Sequence, residues 1–187
     1  GLNFWLVVAL VPILMLPLGY ITERFLVRRV FHSADRHTLT LLLTLGLSMI
    51  LMDVLKITFG PNTVKPAIPV SGGIEVFDVF LPAYRMLLIA FGAAVIAAVY
   101  ILIYRTSIGA IIRAAAFDKD MASSLGVRVS RVYSMTFAVG VALAGLSGIL
   151  LAPVFSVFPT MGHDFIILAF TVVIVGGMGS IKGAVLA

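Results

Sequence analysis

The sequence predicts an all-α polytopic membrane protein, a bundle of about five transmembrane helices. Three observations carry this expectation. Of the residues, 61% are hydrophobic and only 11% are charged, about half the charged share of an ordinary soluble domain. Apolar runs close to the roughly 20 residues needed to cross hydrocarbon recur along the chain. Basic residues, finally, collect in every second loop between those runs. A globule in water cannot hide so much apolar surface, so lipid is the solvent over much of it.

The first run, Leu2–Ile21, carries Pro12 and Pro17 and shows neither the basic start nor the short apolar core of a secretory signal. The second, Thr38–Phe59, is interrupted by Asp53 and Lys56. These two stand at i and i+3, which favours an ion pair near the outer interface over a proton or sodium site. The third, Met86–Tyr104, has no charge at all and is roughly 29 Å long as a helix, one hydrocarbon thickness. The fourth is Val132–Ala152. The fifth, Phe165–Met178, is short and ends in Gly176-Gly-Met-Gly179. It either spans alone or is half of a broken or re-entrant element. Because the chain opens and closes within apolar runs, it is expected to be the middle part of one transmembrane domain covering residues 1–187, truncated at both ends.

The loops orient this bundle. Residues 23–37 hold Arg24, Arg28, Arg29 and Arg36, and residues 105–131 hold Arg105, Arg113, Lys119, Arg128 and Arg131. Between them, Gly60–Arg85 has only Lys65 and Arg85, and Pro153–Asp164 has no lysine or arginine. The positive-inside rule therefore places loops 23–37 and 105–131 in the cytoplasm. The net charge of +5 reflects this topology rather than a nucleic-acid partner. In the outer loop, Gly73–Phe80 alternates apolar and polar residues like a short strand or hairpin arm.

Small residues recur every fourth position on the fourth span, at Gly140, Ala144, Gly148 and Ala152, a stripe that suits close helix packing. Gly176 and Gly179 are assigned to packing at the end of the fifth run. Ser48, Thr44, Thr136, Ser147 and Thr171 are candidate pathway-lining hydroxyls, weighed against bonds to their own helices. A pathway with no bank of intramembrane charge suits a neutral, zwitterionic or amphiphilic solute.

Several chemistries fit poorly. Gly176–Gly183 lacks the spacing of a phosphate-binding loop. Gly145-Leu-Ser147-Gly148 matches the Gly-x-Ser-Gly of intramembrane serine proteases, but His32, His37 and His163 all lie in loops, away from the base position such an enzyme needs. His32, Asp35 and His37 sit beside four arginines, a poor cation site. There is no cysteine. No cofactor, metal or catalytic residue is expected.

The segment between the third and fourth spans, residues 105–131, is too long for a simple connection. Ser107 is placed to cap a helix through Ala116, and Asp118 to cap a short helix Lys119–Leu125 that Gly126 ends. On that short helix Met121, Ala122 and Leu125 share one face, and Asp120 and Ser124 another. An amphipathic peg flanked by basic residues suggests either docking to a partner or lying on anionic lipid.

The stretch Gly109-Ala-Ile-Ile-Arg-Ala-Ala-Ala-Phe-Asp-Lys-Asp-Met-Ala-Ser-Ser-Leu-Gly-Val127 resembles the coupling segment of ABC-importer permeases of the branched-chain amino-acid class. Where the wider pattern has Glu-Ala-Ala, three residues and Gly, this chain has Asp120-Met121-Ala122 and Gly126, a shorter acid and a methionine for the first alanine. The likeness continues in order through Arg131–Gly140, Ala144–Pro153 and Ala169–Ser180, while residues 1–104 agree mainly in hydropathy and topology. What the resemblance implies is a bacterial inner-membrane permease subunit that hydrolyses nothing itself. It would work with a second related permease, cytoplasmic ATPases and a periplasmic or lipid-anchored substrate-binding protein. Asp120, Met121, Ala122 and Gly126 would meet the ATPase, with Arg113 an adjacent anchor. The solute would be a branched-chain or other small amino acid, an amide or urea. The alternative is an ion-coupled secondary transporter or channel, in which Asp53 would be the ion or gating residue.

Overall fold

The structure is a computed structural model that describes residues 4–28, 36–66, 68–69, 72–76, 79–177 and 183. Its elements are α1 (Phe4–Thr22), continued by a π turn (Glu23–Val27), α2 (Arg36–Phe59), β1 (Gly73–Val76), β2 (Val79–Pro82), α3 (Ala83–Arg105), α4 (Ser107–Phe117), α5 (Lys119–Ser124), α6 (Val129–Phe155) and α7 (Met161–Gly176). The architecture is the expected helical bundle with one small antiparallel hairpin, Gly73 opposite Pro82, in the stretch whose alternation suggests it. His32, Asp35 and Gly179 lie outside the described residues.

Among the described residues four helices are long and apolar enough to cross a membrane, and each of the first four sequence runs falls in one of them. The fifth run forms α7, which begins earlier, at Met161, and is only 16 residues long. At about 24 Å it is shorter than the hydrocarbon core, so the expected count of five becomes four clear spans and one shorter apolar helix.

The two ends of the bundle differ as the charges require. At one end, α1 with its arginine-bearing extension meets the start of α6. At the other, the two loops poor in basic residues touch. Val64 and Val157 exchange backbone hydrogen bonds of 2.9 and 2.7 Å. That pairing needs both loops on one side, the arrangement the alternating charge pattern calls for.

The main helix pair is α1 against α6, running antiparallel. Gly19 lets the backbones approach: a Cβ there would lie 2.9 Å from Ala138 Cα and from Val141 Cβ. Farther along, Gly145 faces Met15, whose Cγ would be 2.8 Å from an added Cβ. In lipid, where burying apolar groups between helices gains nothing over burying them in acyl chains, such close approach is the source of attraction. Ser134, Ala138 and Ala142, also four apart, are buried on this face of α6. The stripe singled out from the sequence is not the one α6 turns to α1. Ala152 is buried, but Gly140, Ala144 and Gly148 are exposed. A helix of 3.6 residues per turn puts positions 138 and 140 about 200° apart, so α6 carries small residues on two nearly opposite faces and uses one within this chain.

At the end opposite the arginine-bearing extension of α1, Tyr84, only 2% exposed, ties three elements. Its hydroxyl donates to the Leu150 carbonyl at 2.6 Å, and its ring meets Phe4 edge-on at 6.3 Å. Phe155 and Phe165 pack edge-on where α6 hands over to α7. The residue that ends α6, Ser156, has φ 66° and ψ 163°, a region almost reserved for glycine. Ser156→Gly is therefore expected to raise stability by about 1 kcal/mol. A detergent unfolding titration of the purified protein that shows an unchanged or lower midpoint would count against that strain.

Candidate functional site, the segment between the third and fourth long helices

Residues 105–131 fold as a braced elbow and a short peg. Helix α3 stops at Arg105 because Thr106 is extended, with φ −109° and ψ 155°. Thr106, rather than Ser107, caps α4: its Oγ1 accepts from the Gly109 amide at 3.1 Å, and Ser107 is already helical. The hydroxyl also donates back to Leu102 O in the last turn of α3. One side chain thus serves both helices, answering an orphan donor of α4 and a carbonyl of α3. Gly109 is required by proximity, since a Cβ there would overlap the carbonyl oxygens of Leu102 and Ile103.

Arg113 reaches inward. Its guanidinium donates to Ile103 O and lies over the Tyr104 ring, 5.4 Å from the centroid. The residue assigned from the sequence as an anchor beside a partner contact is engaged here as a brace between α4 and α3. On the other side Tyr133 of α6 donates to Ala115 O at 3.0 Å, and Ala115 is buried.

The peg follows the sequence reading in its caps. Asp118 Oδ1 accepts from the amides of Asp120 and Met121 at 2.9 and 3.0 Å. Gly126, with φ +83°, ends the helix in the left-handed region, and the Val127 amide returns to Ala122 O at 3.1 Å. The face shared by Met121, Ala122 and Leu125 divides, however. Ala122 is buried against the rest of the chain, whereas Met121 and Leu125 are 65% and 78% exposed. Two turns of helix pack closely only through a small side chain, and the larger neighbours are left outside. With Phe117, 95% exposed, they make an apolar series four residues apart. Asp120 is exposed beside them, its carbonyl accepting from Ser124 Oγ at 2.9 Å.

Behind the peg lies a cleft of about 610 Å³, lined by Arg24 and Arg28 from the extension of α1 and by Arg128 and Arg131 at the start of α6. Nearby is a group the sequence reading passed over. Glu23 is 7% exposed and accepts from the Ser134 hydroxyl across the α1–α6 contact, while Ser134 also lies 3.0 Å from the Ser130 carbonyl of its own helix. The signal was available in the second four-residue series, Ser134, Ala138 and Ala142, which puts a hydroxyl where Glu23 ends the first span.

The candidate pathway hydroxyls separate. Thr136, Ser147 and Thr171 donate to carbonyls of their own helices, at 2.8, 2.8 and 2.9 Å. Thr44 likewise donates to Thr40 O at 2.9 Å, and Ser48 lines a second cleft of about 320 Å³ with Thr44, His163 and the leucines 47, 51 and 55. Asp53 pairs with Lys56 at 3.8 Å, the ion pair their spacing suggests. Gly176 lies under Gly183, where a side chain would overlap its carbonyl.

Comparison with known proteins shows the family of the chain. A family described as branched-chain amino acid transport system, permease component, matches residues 3–187. The high-affinity branched-chain amino acid transport system permease protein LivH of Salmonella typhimurium is 31% identical over 176 residues, 90% of this chain and 56% of that protein. LivH of Escherichia coli gives the same identity and coverage. The corresponding protein BraD of Pseudomonas aeruginosa is 28% identical over the same share of each chain. The chain thus spans little more than half the length of these curated relatives. No solved structure matches it.

Proposed function

The chain belongs to the permease-component family of branched-chain amino acid transport systems, and from that premise we propose that it forms part of the membrane pathway of an ATP-binding-cassette importer. Its solute is a branched-chain or other small amino acid. The basic end faces the cytoplasm of a bacterial inner membrane, following the positive-inside rule. Residues 105–131 dock a cytoplasmic ATPase, and a second permease subunit and an external substrate-binding protein complete the machine.

The observation that carries this reading is the apolar series Phe117, Met121 and Leu125, held out from the basic end on a capped and braced support. Exposed apolar side chains on a soluble loop call for a partner. Closure of the ATPases would push the peg, and the ties to Ile103 and Ala115 would carry that push to α3 and α6 as a rigid-body motion. The Ser48 hydroxyl among leucines suits an amphiphilic solute better than an ion.

The test is copurification of the intact permease with its co-encoded ATPase, comparing wild type with Met121→Glu/Leu125→Glu. Burying two unpaired carboxylates at an interface costs several kcal/mol, so ATPase retention is expected to fall at least about tenfold, with insertion and unfolding midpoint unchanged. Equal retention by the variant would remove the peg as the dock.

A further inference from the structure

The arginine cleft lies beside the apolar series Phe117, Met121 and Leu125, and none of those three residues lines it. It lies between the end of α1 and the start of α6, with Ser123 of the peg on its rim and Tyr20 at its inner edge. Arg24 donates to Tyr20 Oη at 3.2 Å. The ion pair found among the described residues is Lys56 with Asp53, at the other end of the bundle, so no described carboxylate neutralises the four guanidinium groups. Glu23, the acid closest in sequence, is turned to Ser134. The amino end of the 27-residue α6 also opens here, and its dipole adds positive potential. Four cations crowded into one concavity repel one another and raise the local concentration of anions.

The depth of the cleft selects among anions. Helix α1 is apolar from Phe4 to Ile21, so Tyr20 and Arg24 fall at the boundary between hydrocarbon and headgroups, where tyrosine and arginine characteristically settle. Ile21 and Phe25, each 54% exposed, give α1 an apolar surface at the same level. Guanidinium forks and a serine hydroxyl match the tetrahedral oxygens of a phosphate. We propose that this cleft binds the phosphodiester headgroup of an anionic phospholipid, its acyl chains running along α1 and its phosphate joining α1, α6 and the peg. The inference rests on the chain spanning a membrane and not on the ATPase docking there.

The experiment uses the intact permease without ATPase, stripped of lipid in detergent and titrated by native mass spectrometry. The probes are dioleoyl phosphatidylglycerol, dioleoyl phosphatidylcholine with the same chains, and inorganic phosphate. Wild type is expected to prefer phosphatidylglycerol. At about fivefold for each arginine near the surface, Arg24→Gln/Arg128→Gln should lose about 25-fold in that affinity, Arg131→Gln alone about fivefold, and Lys65→Gln at the opposite end nothing. Equal binding of both lipids by wild type, or no loss in the arginine variants, overturns the proposal. Displacement of the lipid by inorganic phosphate at equal concentration would assign the site to free phosphate and overturn the lipid source. Loss of ATPase copurification in the double variant with phosphatidylglycerol binding intact would make the cleft a protein dock, and overturns it too.

Discussion

Replacing Gly109 with valine is expected to break the elbow between α3 and α4 and to destabilise the protein by about 3 kcal/mol or more. The two atoms a side chain would strike, the carbonyl oxygens of Leu102 and Ile103, are backbone, so no flexible tip can swing aside. Relief requires α4 to lift from α3. That motion opens the Thr106 cap and withdraws Ile103 O from Arg113, so two local interactions fail together. Gly92→Val in the neighbouring helix α3 is the control, since nothing lies within 4 Å of a Cβ there. A lowered midpoint in a detergent unfolding titration and new protease cleavage around residues 105–109 are expected for Gly109→Val alone. Equal behaviour of the two variants would mean that the elbow carries no special contact.

Gly19→Leu is expected to be almost as damaging, by separating α1 from α6. The helices touch where Gly19 meets the Ala138 backbone, and a leucine must displace a whole helix. Overpacking of this kind costs about 1–3 kcal/mol, and the shift would also pull Glu23 from Ser134. A cysteine pair placed across the two helices, away from position 19, should lose crosslinking efficiency in the variant. Gly140→Leu, on the open side of α6, should leave both crosslinking and unfolding midpoint unchanged. A Gly140→Leu protein as unstable as Gly19→Leu would show that the exposed small face is the one that matters.

The bundle was legible because it depends on a quantity summed over many residues, apolar length. The caps of the peg were legible for the opposite reason. Asp118 and Gly126 act on their nearest neighbours, and the backbone allows few alternatives at a helix end. What escaped was which of two equal-looking options the fold takes. Ser107 and Thr106 are both capping residues, and only the extended backbone at 106 decides between them. Gly140, Ala144 and Gly148 read as a packing stripe as clearly as Ser134, Ala138 and Ala142 do, and only the position of α1 selects the second. Arg113 reads as an anchor beside a partner contact until the freed carbonyl of Ile103 is seen to lie ten positions back and within reach.

The pairing of Glu23 with Ser134 spans 111 positions of sequence, and that separation has a consequence in time. A ribosome adding about 5–20 residues per second produces α6 some 5–20 seconds after α1. Throughout that interval α1 waits without the helix that receives its carboxylate. The arginines that follow immediately, Arg24 and Arg28, hold the helix end in place meanwhile. Helix α1 is therefore finished only once α6 has been made.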